Sequence, residues 1–387
     1  MSTAGVPVAP VDTLMALSRQ RVGIDMVDQD AVVPLQMLVK SLNEESHLHE
    51  SGARGMQDKL VRLLGNRLRM RRDFLAHPEI AEERILAPVF VCGMGRTGST
   101  KMQKLLAASG DFNWLPYWQV TNPSLFTGDR SESPQPRIEE TEAFARWFDE
   151  ASPETKFGHA FETFEPEEDS FILEHSLQTP TFLGWAPLDG YLDWLTRQDM
   201  TRQFIHLRDT LKYLQWQGLT DPSKRWVLKC PLYSGLEALL VRVFPDAKLV
   251  MTHRDPRSMI PSSMRLLECF YKPFTDSPPD PNFYITGQAA AIGMHMQNRA
   301  QMPKDTFCDI DFRTLCGDAD DCAARVYAFA GLELTPHARQ RMRDWNAANP
   351  QHRRGKHEYD LERFRLSAEA VDVPFAHYRK FLAERFG

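Results

Sequence analysis

The sequence lacks long hydrophobic runs and paired cysteines, and each absence argues against a class of protein. No apolar run approaches the roughly 18 residues that span a bilayer, and the N-terminal segment lacks the basic-then-apolar order of a signal peptide. The six cysteines form no C-x-x-C pair and no zinc-ligand spacing, which predicts buried free thiols in a reducing compartment. We therefore expect a cytoplasmic protein with no transmembrane segment.

The chain also lacks an excess of positive charge. Its 46 basic residues are outnumbered by 52 acidic ones, and the net charge is −6. Because nucleic-acid binding relies on basic surfaces, we expect no nucleic-acid partner, and any anion site must be local. A hydrophobic content of 42% and a charged content of 25% over 387 residues are ordinary for a soluble globular protein.

Two regions differ in their hydrophobic pattern. Helical periodicity predicts an N-terminal helical segment over residues 1–86, followed by an α/β domain over 87–387. In the second region, the short apolar runs VFVC, WVLKC, KLVMTH and TFCDIDF predict strands that alternate with helices, with a mostly helical insertion at about 138–217. This alternation predicts a parallel sheet flanked by many helices, and such sheets bind ligands at the carboxyl ends of their strands.

A glycine-rich turn follows the first predicted strand, in the stretch VFVCGMGRTGST. Such turns bind phosphate because helix N-terminal N–H groups and the helix dipole attract anions. Gly93, Gly95 and Gly98 match the dinucleotide fingerprint G-x-G-x-x-G, and the same turn matches a Walker A loop without its lysine. The dinucleotide match needs an acidic residue at the end of a second strand, and the segment FNWLPYWQVTNP offers none.

The nucleoside triphosphate alternative is also incomplete. It needs a lysine where Ser99 stands and a carboxylate at a strand end to hold Mg²⁺. The strand KLVMTH leads instead into Arg254, which is a cation. A Mg-ATP-dependent small-molecule kinase remains the alternative enzyme.

A nucleotide phosphosulfate fits the sequence better, because it needs two separate anion sites and no metal. The first site is the turn itself, where an arginine supplies charge and backbone and hydroxyl groups supply donors. Its residues are Gly95, Arg96, Thr97, Gly98, Ser99 and Thr100. The second site is THRDPRSMIPSS, in which Arg254 leaves a strand and Ser262 follows eight residues later. Pro261 is expected to bend the helix and to turn Ser262 toward Arg254.

These segments together resemble the PAPS-dependent sulfotransferases, especially the bacterial branch with a loop of the R-[ST]-G-[ST]-T type. The resemblance also rests on DIDFRTLCGDADDCAARVYAFAGLEL and RRGKHEYDLERF, so that it spans most of residues 89–364. It implies an α/β fold with a P-loop-like phosphosulfate-binding turn. The implied activity is transfer of a sulfuryl group from PAPS (3′-phosphoadenosine 5′-phosphosulfate) to a hydroxyl, without a metal.

The resemblance also implies roles for individual residues. The turn would bind the 5′-phosphosulfate, and Arg254 with Ser262 would bind the 3′-phosphate. Lys229, in WVLKC, matches the family's lysine near the bridging oxygen. A late basic loop that closes over the nucleotide matches Arg353, Arg354, Gly355 and Lys356.

The sequence departs from the family at the catalytic base. Bacterial members often carry a glutamate where Gln119 stands, and the animal cytosolic enzymes carry a histidine at the position of Pro231. The nearest replacements lie in KFGHAFETFEPEEDSF, namely His159, Glu162, Glu165, Glu168 and Asp169. We choose His159 as the base because its ordinary pKa suits proton transfer near neutral pH. A protein that kept the donor site and lost its base would instead be a non-catalytic nucleotide-binding protein.

Aromatic residues are concentrated in and around the insertion. They are Trp114, Tyr117, Trp118, Phe157, Phe161, Phe164, Trp185, Tyr191 and Trp194. Most are expected to build a core, and the rest would line a pocket for an acceptor with a large apolar body, such as a steroid, phenol or lipid alcohol. The proline-rich segment over 270–284 is a candidate lid, and the sequence leaves the oligomeric state open.

Overall fold

The centre of the computed structural model, which describes residues 5–350 and 360–387, is a parallel β-sheet. Its strands are β1 Val89–Cys92, β2 Phe112–Asn113, β3 Arg225–Lys229, β4 Lys248–His253 and β5 Phe307–Asp311. They lie in the order β2-β3-β1-β4-β5, and every pair is parallel. The predicted parallel α/β fold is confirmed, and β2 is the strand that the sequence did not predict.

Strand β1 occupies the middle of the sheet, and its register aligns the carboxyl ends of β3, β1 and β4. Val91 lies opposite Lys229 of β3, and Cys92 lies opposite Met251 of β4. All four β1 residues are buried, as expected for a strand covered by helices on both faces. The loops that follow β1, β3 and β4 therefore emerge next to one another.

Helices cover both faces of this sheet. The N-terminal three are α1 Val11–Val22, α2 Gln29–Glu44 and α3 Glu50–Ala76. The following seven, through the insertion, are α4 Ser99–Ser109, α5 Tyr117–Thr121, α6 Gln135–Ala151, α7 Thr155–Gly158, α8 Ser170–Glu174, α9 Asp189–Leu195 and α10 Thr201–Trp216. The remainder are α11 Glu237–Val243, α12 Pro256–Tyr271, α13 Pro281–Gln301, α14 Phe312–Gly317, α15 Ala319–Ala330, α16 Pro336–Ala348, α17 Ala368–Asp372 and α18 Ala376–Phe386.

The helix boundaries follow local sequence signals. Helix α3 stops at Ala76, because the residue before Pro78 disfavours helical backbone. Helix α12 begins as predicted: Asp255 is the N-cap, its carboxylate accepts the Arg257 N–H, and Pro256 is the first helical residue. Pro261 lies inside α12, which continues to Tyr271.

The N-terminal helices pack into the same hydrophobic core as the sheet. Leu35 of α2 and Leu60 of α3 belong to one buried cluster with Phe90 of β1. Lys59 of α3 is buried and pairs with Glu174 of α8. These contacts fix the insertion, which carries several candidate site residues, against α3.

Two further expectations concern the cysteines and the lid. All six cysteines are free, and five of them are buried while Cys316 is partly exposed. The first half of the proposed lid is anchored: Phe274 is buried, and the Thr275 hydroxyl donates to the Ser46 carbonyl at 2.7 Å. None of the helices within the described residues is both long and apolar enough to cross a membrane.

Candidate active site

The glycine turn is held against β4 by contacts that only small residues permit. Gly93 has a φ of 120°, and a Cβ there would lie 2.4 Å from the Thr252 Oγ1. The Thr97 hydroxyl is buried, donates to the Met94 carbonyl at 2.6 Å and lies 2.7 Å from the Thr252 Oγ1. Thr97 thus locks the turn through its side chain, which leaves its backbone N–H as its possible contact with an anion.

The turn leads directly into the N-terminus of α4. Gly98 is the N-cap in a left-handed conformation with a φ of 93°, and no side chain caps this helix among the described residues. The first N–H groups of a helix have no partner within the helix, and the dipole makes this end attractive to anions. Ser99 is buried and Thr100 is exposed at the first turn.

The two predicted anion sites meet at Arg96. The Arg254 Nη1 donates to the Arg96 carbonyl at 2.9 Å, and the Arg96 Nε donates to the Ser262 Oγ at 3.1 Å. Arg96 has a φ of 68°, a left-handed conformation that costs a non-glycine residue free energy. Ser262 therefore faces Arg96 and, contrary to the expectation from Pro261, its described hydrogen bond is to Arg96 and not to Arg254.

Arg254 is fixed by an aromatic ring as well as by the turn. Its guanidinium lies 4.3 Å from the ring centroid of Phe312, the first residue of α14. Such a cation–π contact restrains a flexible side chain while leaving its N–H groups able to donate. A cleft of about 670 Å³ opens beside Arg254, between the start of α12 and residues 360–368, within the size range of small-molecule sites.

Lys229, the last residue of β3, contributes a third cation at this edge of the sheet. Its side chain is 1% exposed, and its Nζ hydrogen-bonds to the Glu168 Oε1. The Lys229 backbone N–H donates to the Asp169 Oδ1 at 2.7 Å. The segment before α8 is thereby tied to the end of β3 through both carboxylates.

His159 lies beside the same carboxylates. Its Nε2 is 3.1 Å from the Glu167 Oε1, at ion-pair distance although outside good hydrogen-bond alignment, and its Nδ1 is 4.0 Å from the Glu168 Oε1. Burial opposes ionisation of Glu167, but its electrostatic interactions with His159 and Lys229 leave the pKa of Glu167 below its usual range. A buried carboxylate on one ring nitrogen fixes the imidazole and leaves Nδ1 facing Glu168 and Lys229.

Glu167 is the functional candidate that sequence reasoning missed. The run EPEEDS offers several carboxylates, and periodicity alone does not tell which one faces the histidine. The relevant signal is a tertiary one: the Glu167 N–H donates to the Leu115 carbonyl, and the Gln103 amide of α4 donates to the Glu167 carbonyl, at 2.8 and 2.9 Å. These two contacts set Glu167 beside α4 at the carboxyl edge of the sheet.

The other acidic candidates have different surroundings. Glu162 and Glu165 pair with Lys104 on the outer side of α4, at 3.2 and 3.4 Å. Asp169 is fully buried, and burial raises its pKa to about 7. Its hydrogen bond to the Lys229 backbone makes it a support for the strand end.

Gln119 and Pro231 stand at the two positions where the resemblance to sulfotransferases implies a base. Gln119 of α5 is buried, and its Oε1 has no hydrogen-bond partner among the described residues. Pro231 begins a short 3₁₀ turn after β3. Neither side chain can act as a base. The titratable side chain on the Lys229 Nζ is Glu168, and the His159 Nδ1 lies 4.0 Å from the Glu168 carboxylate.

A stack of aromatic rings borders His159. The His159 ring centroid lies 5.3 Å from that of Phe161 and 5.6 Å from that of Phe270. Phe161 stacks on Tyr117 at 5.0 Å, and Phe270 stacks on Trp185 at 5.5 Å. Most of the predicted aromatics are buried in the core, whereas Phe157 and Phe164 are 51% and 61% exposed.

The structure thus brings Arg96, Lys229, Arg254, Ser262 and His159 to one edge of the sheet. Arg353, Arg354, Gly355 and Lys356 lie outside the described residues. A lysine-less phosphate loop, with cations at the ends of three neighbouring parallel strands, defines a P-loop-like site for an anionic group-transfer substrate.

Comparison with known proteins identifies the family to which this chain belongs. The model described as "Sulfotransferase family" matches residues 88–336, well over half of the chain. The chain therefore belongs to the sulfotransferase family, and it is an enzyme that transfers sulfuryl groups.

Relatives and solved structures agree with this assignment. The chain is 23% identical to the omega-hydroxy-beta-dihydromenaquinone-9 sulfotransferases Stf3 of Mycobacterium bovis and Mycobacterium tuberculosis, over 78% of this chain and 75% of each relative. It is similar to sulfotransferase STF9 from Mycobacterium avium, with 25% identity, a TM-score of 0.84 and 97% of each chain covered. It is also similar to STF1 from Mycobacterium tuberculosis H37Rv, with 27% identity, a TM-score of 0.80 and coverage of 96% of this chain and 99% of the other.

Proposed function

We propose that the sulfuryl donor is PAPS and that the acceptor is a hydroxyl on a lipid-like molecule. The observation that carries the donor assignment is the meeting of Arg254 with the Arg96 carbonyl, 2.9 Å from Nη1 to oxygen. It joins two residues with cationic side chains, one after β1 and one after β4. PAPS has two separate anionic ends, and this pair of groups suits both.

The 5′-phosphosulfate would lie at the N-terminus of α4. There the backbone N–H groups of the turn, the Ser99 and Thr100 hydroxyls and the Arg96 guanidinium supply donors and positive charge. The 3′-phosphate would lie against Arg254 and Ser262. The cleft of about 670 Å³ beside Arg254 would take the nucleoside.

Sulfuryl transfer to a hydroxyl is an in-line displacement. The acceptor oxygen forms a bond to sulfur while the bond from sulfur to the bridging oxygen breaks, and the electron pair leaves with the nucleotide bisphosphate. By analogy with phosphoryl transfer, the protein contributes mainly positioning and charge stabilisation. Lys229 is the residue proposed to stabilise the charge that develops on the bridging oxygen, which requires its Nζ to turn partly from Glu168 toward the donor.

The acceptor proton would go to Nδ1 of His159. Glu167 holds the opposite ring nitrogen at 3.1 Å, so Nδ1 points toward the Glu168–Lys229 pair where the acceptor oxygen must arrive. A carboxylate that orients an imidazole while the other nitrogen acts as base is the arrangement used in catalytic triads. Glu167 is therefore proposed as the residue that orients the base.

The same three side chains also have a spacing that suits a cation. One atom each of His159, Glu167 and Glu168 lies within 4.8 Å of the others. The Lys229 ammonium already contacts Glu168, so we propose that lysine supplies the positive charge in this corner. If so, prolonged dialysis against a chelator leaves turnover unchanged, whereas loss of activity that returns with an added divalent ion would contradict the assignment.

Two observations support a lipid-like acceptor. The stacked rings of Phe161, Phe270 and Trp185 form an apolar cluster next to His159, in which Phe161 and Trp185 are buried. The Stf3 relatives carry a name that describes a hydroxylated menaquinone as their substrate. An acceptor with an apolar body and a terminal hydroxyl would place that hydroxyl at His159 and its body along the rings.

Transfer of ³⁵S from labelled PAPS to a panel of lipid alcohols, steroids, phenols and sugars tests this proposal. We expect label in lipid alcohols or phenols and none in sugars. Label in sugars alone would overturn the acceptor assignment while leaving the donor intact. Failure to bind PAPS or its desulfated product would overturn the donor assignment.

A further inference from the structure

The C-terminal helix α18 makes a polar contact with the end of β4, next to Arg254. Tyr378 of α18 is buried, and its hydroxyl lies 2.9 Å from the Nδ1 of His253, the last residue of β4. Burial raises the pKa of this phenol overall, although the backbone of the next residue, Arg254, lies close enough to the hydroxyl to lower it in part. A single phenol oxygen therefore bonds His253 and lies beside the Arg254 backbone, at the point where β4 ends.

A buried chain of charged groups continues behind this hydroxyl. His253 Nε2 lies 3.0 Å from the Asp309 Oδ1, and neither side chain has measurable exposure. Asp309 is held in turn by Arg299 of α13, at 2.8 Å from Nη1, and by Arg385 of α18, at 3.2 Å from Nε. The carboxylate of β5 thus joins β4, α13 and α18.

The direction of these hydrogen bonds follows from the charges. Burial opposes ionisation of Asp309, but its bonds from His253 and Arg299 hold its pKa well below the usual range, so it is a carboxylate and accepts. Burial, only partly offset by Asp309, lowers the pKa of His253. A neutral His253 donates from Nε2 to Asp309 and accepts at Nδ1, so the Tyr378 O–H donates to His253.

Helix α18 also contacts the residue that follows Arg254 in the chain. Arg379 lies 3.9 Å from the carboxylate of Asp255, the N-cap of α12, and 2.6 Å from that of Asp372 in α17. Asp372 also pairs with Arg257 of α12. Residues on both sides of Arg254 are therefore tied to the last two helices.

We propose that Tyr378 is a positioning residue for donor binding, acting by fixing the backbone from which the Arg254 guanidinium reaches the 3′-phosphate. This inference rests on the proposed donor site and adds the C-terminal helix to it. A long cationic side chain magnifies small backbone shifts at its base, and a displacement near 1 Å is enough to weaken a preorganised contact. Asp309 and His253 contribute by fixing the direction of the Tyr378 hydroxyl.

The test is the variant Tyr378→Phe, which removes the hydroxyl and keeps the ring. Its matched control is Tyr327→Phe in α15, a residue that is equally buried. This change deletes a hydroxyl that donates to Asp111 at 2.8 Å, at the far end of α4 from the glycine turn. Calorimetric titration with adenosine 3′,5′-bisphosphate gives both a dissociation constant and a stoichiometry. Steady-state kinetics then separate the KM for PAPS from the KM for the acceptor.

We expect Tyr378→Phe to raise the bisphosphate dissociation constant about tenfold, with unchanged stoichiometry and an unchanged acceptor KM. Tyr327→Phe should bind like the wild type. If Tyr378→Phe, alone or together with Tyr327→Phe, bound fewer bisphosphate molecules per protein at unchanged affinity, the hydroxyl would only help the protein to fold. That result would overturn the inference. Equal affinity of Tyr378→Phe and wild type would also overturn it, whereas absence of binding by the wild type would instead overturn the proposed donor.

Discussion

Arg254, at the end of the fourth strand, donates a hydrogen bond to the carbonyl oxygen of Arg96, in the turn that follows the first strand. The two residues are 158 positions apart in the chain, and the parallel register of β1 and β4 brings them together. Because the Arg254 side chain bonds the backbone of the glycine turn, the arginine of the second predicted anion site also stabilises the first predicted anion site. The proposed donor site would therefore be a single unit built on the adjacent ends of β1 and β4.

Replacing Lys229 with alanine should lower turnover much more than donor affinity. Its proposed work is done in the transition state, and the loss of one such donor typically costs about 10²–10³ in rate. Single-turnover measurements at saturating PAPS would show this drop. A variant that turns over normally, or that loses affinity and rate in equal proportion, would contradict the role assigned to the lysine.

Replacing His159 with alanine should lower turnover by roughly 10²–10⁴, the usual contribution of a general base, without changing the affinity for adenosine 3′,5′-bisphosphate. Glu167→Gln should give a smaller loss, because the imidazole remains but its orienting charge is gone. Glu165→Gln is the matched control, since that carboxylate pairs with Lys104 instead. Full activity of the His159 variant would transfer the base role to Glu168.

Asp169 should make the enzyme less stable as the pH rises from about 4 to 7. Its folded-state pKa is raised from 3.8 to about 7 by burial, so between these values the folded state holds a proton that the unfolded state has released. The stabilisation that Asp169 contributes is fully present below pH 3.8 and is lost as the pH rises through about 7. Between these two pKa values the free energy of unfolding falls by up to about 1.4 kcal/mol per pH unit. Urea denaturation of the wild type and of Asp169→Asn should show that the variant loses less stability over this interval; parallel curves would refute the effect.

Gly93→Ala should destabilise the protein and weaken donor binding together. A methyl group there would lie 2.4 Å from the Thr252 Oγ1 and 2.5 Å from its carbonyl oxygen, at a φ of 120°. Strain of this kind costs about 1–3 kcal/mol. Gly287→Ala in α13 provides the comparison, because a Cβ there meets nothing within 4 Å and alanine favours helix. Equal thermal stability of the two variants would argue against a tightly packed turn.

The sequence predicted those features that local chemistry determines. Short apolar runs next to turn signals identified four of the five strands, and Asp255-Pro256 identified the start of α12. Strand β2 was missed because it has two residues, too few to form a pattern. The roles of Arg96, Arg254, Ser262 and Lys229 stay predictions, although the fold sets these residues at neighbouring strand ends.

Features that depend on long-range contacts could not be read from the sequence. The Thr97 hydroxyl was expected to contact the anion, but it is buried against Thr252, which lies in a different strand. The importance of Glu167 emerges only when its segment pairs with Leu115. Likewise, nothing local to Tyr378 indicates that it bonds the end of β4.

We propose that the strand ends carrying Arg96 and Arg254 together bind one nucleotide bisphosphate. Calorimetric titration of the wild type and of Arg254→Ala, with adenosine 3′,5′-bisphosphate and with Mg-ATP, tests this most directly. Because a charge-assisted phosphate contact is worth about 1.5–3 kcal/mol, we expect tight bisphosphate binding by the wild type and an affinity about ten- to a hundredfold lower in Arg254→Ala. Arg197→Ala, which removes an exposed arginine paired with Asp193, should bind like the wild type. Tight binding of Mg-ATP with no binding of the bisphosphate, or identical bisphosphate affinity in wild type and Arg254→Ala, would contradict the proposal.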